Sequence, residues 1–107
     1  MIDISIRMDT EPFSLMAAGH AHGPRNEADH DMVCCAVSVI VQTLAISLGK
    51  LDCVHTDYSK QSGDIKILVT GTEAHWDELV PRFQMAIDGL TQLAEHHPQC
   101  LRLSVIR

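Results

Sequence analysis

Between Met32 and Leu48 the chain carries no charged residue. Only Ser38, Gln42, Thr43 and Ser47 interrupt an otherwise apolar run that stops at Gly49. At about 17 residues the run falls short of the roughly 20 apolar residues that a bilayer span needs. It therefore reads as a helix of a small folded domain, covered on one side by a sheet and on the other by a second helix or a second subunit.

The rest of the chain must supply that sheet. The first residues alternate Ile2, Ile4 and Ile6 against Asp3, Ser5 and Arg7, which is a strand pattern and not a signal peptide. A turn at Asp9 to Pro12 leads to a second run, Phe13, Leu15 and Ala17 against Ser14, Met16 and Ala18, so the two form a hairpin. After the central helix, Leu51 to His55 reads as a short strand and Asp57 to Gly63 as a polar connection. Ile65, Ile67 and Val69 then mark a fourth strand. Thr72 is the expected N-cap of a second helix. Its apolar positions from Trp76 to Ala94 recur every three or four residues, with Pro81 expected to kink or restart it and Pro98 to stop it. Leu101, Leu103 and Val105 close the chain as a last strand.

The expected order is strand, strand, helix, strand, strand, helix, strand. This predicts an α+β fold, a mainly antiparallel sheet of about five strands with both helices on one face. The 107 residues make one domain, 1–107, with a single core. Aromatic residues make up only 4 %, so aliphatic side chains must fill that core.

Charge and cysteine usage narrow the function. The net charge is −6 and Lys and Arg do not cluster, which argues against direct nucleic-acid binding and suits a basic partner. The four cysteines, Cys34, Cys35, Cys53 and Cys100, lie in apolar segments rather than in a disulfide framework, as in a reduced, cytoplasmic chain.

Cys34 is the residue whose position carries chemistry. With Asp31 as N-cap it is the third residue of the central helix, where backbone N–H groups lack intrahelical partners. Such donors are placed to stabilise a thiolate or to hold the oxyanion of an attacked carbonyl. Upstream, Gly19, His20 and Ala21 close the second strand, and the polar loop from Ala21 to His30 carries the imidazole of His20 toward the thiol as a general base. Ser38 and Gln42 follow Cys34 on one helical stripe, the least apolar part of the helix, which places Cys34 at a polar crevice. Cys35 lies about 100° away, beside Val39 and Ile46, and is assigned to packing.

Other readings of the same residues stay open. A core role for Cys34 is as open as a nucleophilic one, since free cysteine is among the most buried residue types. Asp31 is first a helix cap, and an orienting role toward His20 is the second reading. His20, His22, His30, Cys34 and Cys35 also offer zinc-type ligands within a short span, which makes a metal-binding protein one alternative and a non-catalytic dimeric binding module another.

The sequence from Gly19-His20-Ala21 to His30-Asp31-Met32-Val33-Cys34-Cys35-Ala36-Val37-Ser38 resembles the signature of the ribosomal-processing cysteine proteases, the Prp family of small bacterial proteins. The resemblance implies a Cys/His endopeptidase that removes a short N-terminal extension from the large-subunit ribosomal protein numbered twenty-seven. It maps the nucleophile onto Cys34, the histidine onto His20, and the recurrent aspartate and serine onto Asp31 and Ser38. It implies a homodimer whose mobile loop orders around substrate. No cofactor, metal or membrane partner is expected. Two departures stand out. Asp29 occupies a position where the family commonly has glycine, and Cys35 replaces a small residue. The loop is also about two residues longer, a change that costs little in closure entropy.

Overall fold

The computed structural model describes residues 1–107. Strands β1 (Ile2–Arg7) and β2 (Phe13–Ala18) precede helix α1 (Met32–Gly49). Strands β3 (His55–Gln61) and β4 (Asp64–Thr70) follow, then a single 3-10 turn (Glu73–His75), helix α2 (Trp76–His96) and strand β5 (Leu101–Ile106). The five strands form one sheet in the order β3-β4-β2-β1-β5. β1 pairs antiparallel with β2, β2 with β4, and β3 with β4, while β5 runs parallel to β1. The α+β architecture and the element order expected from the sequence are those observed.

Alternation dictates which face of the sheet is covered. Ile2, Ile4 and Ile6 on β1, Phe13, Leu15 and Ala17 on β2, and Ile65, Ile67 and Val69 on β4 are all buried on the helix side. α1 lays Val33, Val37, Val41, Leu44 and Leu48 on this surface, a stripe at spacings of three and four. α2 adds Leu79, Phe83, Ala86, Ile87 and Leu90. Although α1 has a mean hydropathy of 2.1 over its 18 residues, the Val33-to-Leu48 stripe makes it a core helix of this domain. Three of the few aromatic residues meet where β2 joins α2. The Phe13 ring lies 5.2 Å from Trp76 and 5.7 Å from Phe83, both edge to face.

Three local expectations are corrected. The third strand is His55–Gln61 rather than Leu51 to His55, and it occupies most of the segment read as a polar connection. It is the outermost strand, bonded on one side only and almost wholly exposed, so it needs no apolar alternation. Thr72 is buried but its side chain caps nothing. Its N–H and that of Gly71 instead donate to the Glu11 carboxylate from the β1–β2 turn. Pro81 does not restart α2, which runs as one helix from Trp76 to His96 with the proline inside it. The hydrogen bond Pro81 lacks falls in the helix's first two turns, where few bonds depend on it.

A one-sided sheet makes neighbours on one strand energetically unequal. Leu15→Ala should lower stability by about 2–5 kcal/mol through lost burial and a cavity. Met16→Ala, one residue along on the open face, should change it by no more than about 0.5 kcal/mol. Urea denaturation of the two variants measures the contrast.

Candidate active site

The start of α1 is built around one carboxylate. Asp31 stands just outside the helix in extended conformation, φ −69° and ψ 112°, and its Oδ1 accepts from the N–H groups of Val33 at 3.0 Å and Cys34 at 3.1 Å. Its Oδ2 accepts from the Gly23 N–H at 2.9 Å, across the loop. Asp31 is thus the cap expected from the sequence, and it also ties the loop to the helix. Burial alone would raise its carboxyl. The backbone donors of Cys34, Gly23 and Val33, together with the Cys34 side chain, outweigh that and hold it below the ordinary aspartate range.

The first N–H groups of α1 are already engaged, which corrects the expectation that they face a thiolate or an oxyanion. Met32 donates to the Pro24 carbonyl at 2.9 Å and Cys35 to the Asp31 carbonyl at 3.0 Å, while Val33 and Cys34 donate to the Asp31 side chain. The backbone donor aimed at the sulfur comes from the loop instead. The Ala21 N–H lies 3.3 Å from Cys34 Sγ.

His20 is placed by two glycines. Gly19 has φ +101°, and a Cβ there would collide with the Met1 carbonyl oxygen, so only glycine lets β2 end against β1 in this way. The Gly19 N–H donates to the Gly63 carbonyl at 2.8 Å, joining the end of β2 to the β3–β4 turn. Gly63, with φ +73°, faces the imidazole, and a Cβ at that position would lie 2.8 Å from His20 Nε2. His20, Cys34 and Ser38 then line one cleft of about 200 Å³, together with Lys60, Gln61 and Ser62 from the end of β3 and the β3–β4 turn. Asp31, bonded to the Cys34 N–H, does not line the cleft. Apolar alternation alone does not reveal this turn, because the exposed β3 has the composition of a connection. The Ser62-Gly63 pair between polar flanks is the signal that marks a two-residue hairpin there.

The rest of the loop is held by its own polar groups. Asn26 Oδ1 accepts from the N–H groups of Ala28 at 2.9 Å and His30 at 3.0 Å, and Arg25 donates to the Asp29 carbonyl at 2.8 Å. Asp29 adopts φ +63°, a conformation that glycine takes without strain and that aspartate tolerates better than most residues.

Cys35 is exposed, which overturns its assignment to packing. Val39 and Ile46 beside it are 64 % and 62 % exposed, because this stripe of α1 points away from the sheet. The zinc-type set His20, His22, His30, Cys34 and Cys35 does not converge on one point.

Fold and cleft together define a small α+β domain in which a cysteine and a histidine, on different elements, share one pocket. The family described as Cysteine protease Prp matches residues 1–102, and the chain belongs to that family; it is a cysteine protease. Solved structures share the fold. An essential ribosomal processing protease Prp from S. aureus, in complex with a covalently linked product peptide, superposes with TM-score 0.78 at 22 % identity, covering 98 % of this chain and 99 % of that one. The S. aureus Prp in complex with a substrate peptide gives TM-score 0.75 at 21 % identity over the same shares, 98 % and 99 %. SMU.848 from Streptococcus mutans gives 0.72 at 22 % identity, over 99 % of this chain and 94 % of that one. A search of curated proteins finds no significant match.

The Asp31 geometry predicts a measurable pH signature. Asp31→Asn keeps an oxygen for the helix cap but turns an amide toward the Gly23 N–H, leaving that donor unpaired. Stability at pH 7 should fall by about 1–3 kcal/mol. Because the folded-state carboxyl titrates lower than the unfolded one, its contribution is present above about pH 4 and is lost as the pH falls through the folded value. The gap between parent and variant in urea denaturation should therefore narrow below about pH 4.

Proposed function

We propose that the protein is a cytoplasmic endopeptidase that removes a short N-terminal extension from the bacterial large-subunit ribosomal protein numbered twenty-seven, with Cys34 as nucleophile and His20 as general base. The observation that carries the reading is the shared cleft, in which the His20 ring and the Cys34 thiol belong to segments tied together by the Gly23-to-Asp31 and Ala21-to-Cys34 hydrogen bonds. His20 takes the thiol proton and the sulfur attacks the scissile carbonyl, forming a C–S bond. The tetrahedral intermediate collapses with cleavage of the C–N bond, and the imidazolium protonates the leaving amine. Water, deprotonated by His20, then hydrolyses the thioester, releasing the new carboxylate and restoring the thiol. The Ala21 N–H stabilises the sulfur anion, and Ser38 borders the cleft one turn beyond the thiol. A thioester intermediate accords with the product peptide covalently linked to the S. aureus protease, and the net charge of −6 suits a basic ribosomal substrate.

The proposed active form is a homodimer. Its support is the apolar surface left uncovered on the helix layer, where Met32, Val39 and Ile46 of α1 and Met85 of α2 are all more than half exposed.

Two experiments test these proposals. With the extended ribosomal protein as substrate, Cys34→Ala should lose on the order of 10³-fold or more in kcat/KM, and His20→Ala about 10²–10⁴-fold. Cleavage by Cys34→Ala at the parental rate would exclude the nucleophile assignment. Val39→Glu should convert a dimer to a monomer in sedimentation equilibrium, and an unchanged mass would remove this face as the interface.

A further inference from the structure

We infer that Cys53, His75 and Glu78 form a binding site for a transition-metal dication of the zinc type. The three residues come from two distant segments. Cys53 lies in the connection between α1 and β3, His75 ends the 3-10 turn, and Glu78 is in the first turn of α2. One thiol sulfur, one imidazole nitrogen and one carboxylate oxygen lie within 4.8 Å of one another. Sulfur, nitrogen and oxygen donors at bonding distances of about 2.0–2.3 Å around a tetrahedral zinc stand about 3.3–3.8 Å apart. The Cys53 Sγ to Glu78 Oε2 separation is already 3.5 Å. The histidine needs only a side-chain adjustment to complete three corners, and water takes the fourth.

The Cys53 thiol donates to Glu78 Oε2, and neither side chain has another partner. His75 occupies the N-cap position of α2 without a side-chain capping bond. Glu78 has no cationic partner, because the nearby Arg82 guanidinium donates to the Glu78 main-chain carbonyl at 2.7 Å and to Ser47 Oγ at 2.8 Å. His75 and Glu78 are three residues apart across the start of a helix, the spacing that puts two side chains on one face. A thiolate with imidazole and carboxylate selects zinc or cobalt over calcium or magnesium, which prefer oxygen alone. The Cys34 thiol is at the other end of α1, an 18-residue helix about 27 Å long. A metal at this site therefore ties the α1–β3 connection to the start of α2 and takes no part in peptide cleavage.

The test uses Cys34→Ala, so that the reactive thiol cannot bind the probe. Titration with Co²⁺ should give one equivalent of bound metal with a near-ultraviolet thiolate charge-transfer band. The band should vanish in Cys34→Ala/Cys53→Ser and weaken in Cys34→Ala/Glu78→Gln, with unchanged circular dichroism because both side chains are exposed. Zn²⁺ should displace the cobalt and raise the melting temperature of Cys34→Ala, but not that of the Cys53→Ser double variant. Absence of the band in Cys34→Ala, or its persistence in the double variant, overturns the site.

Discussion

The Asp31 carboxylate sets the geometry on which the cleft depends. Its two oxygens accept three backbone N–H groups from two segments, and each bond fixes something different. The bonds to Val33 and Cys34 start α1 at Met32, which places the Val33-to-Leu48 stripe on the sheet and Cys34 on the adjoining stripe at its edge. The bond to Gly23 draws the loop back over the helix end, which brings the Ala21 N–H to the sulfur. A carboxylate so close to a thiol opposes its ionisation by charge. In the proposed chemistry the anion must therefore be favoured from the loop side, by the Ala21 N–H and the His20 imidazole, since the helix-end donors are occupied.

The other side of the cleft depends on close backbone approach. Gly19 lets β2 end against the Met1 carbonyl and then bonds to Gly63, whose missing Cβ leaves room for the imidazole. His20 is held between a strand end and a hairpin turn, while Cys34 is held by a helix cap. The two side chains share a pocket because separate constraints converge, and neither the helix nor the sheet would bring them together alone.

The parts legible in the sequence were those governed by burial or by local capping. β1, β2 and β4 alternate because one face is covered, α1 and α2 show their stripes, and Asp31 stands where a cap must stand. The missed parts lack those constraints. β3 is an edge strand whose side chains stay in water, so its composition resembles a loop. Thr72 looks like a cap, yet the acceptor for its N–H is Glu11, distant in sequence. Cys35, Val39 and Ile46 read as core because an apolar stripe does not reveal which body covers it. Cys53 and the pair His75 and Glu78 are brought together only by the return of the chain across the sheet, so no local spacing could have announced them.

The Asp29 position shows how the loop holds a left-handed residue that is not glycine. Asp29 is a non-glycine residue in the left-handed region, at φ +63°, where glycine would sit without strain. Its carbonyl accepts from Arg25 and its carboxylate lies 3.8 Å from the same guanidinium. Exposed as it is, that ion pair contributes little on its own. It acts together with the Asn26 side chain, which closes the turn from Asn26 to His30 by two bonds. The loop thus supports its left-handed residue with polar contacts of its own. The loop that carries Ala21 behind His20 is bonded within itself as well as to the helix start through Asp31.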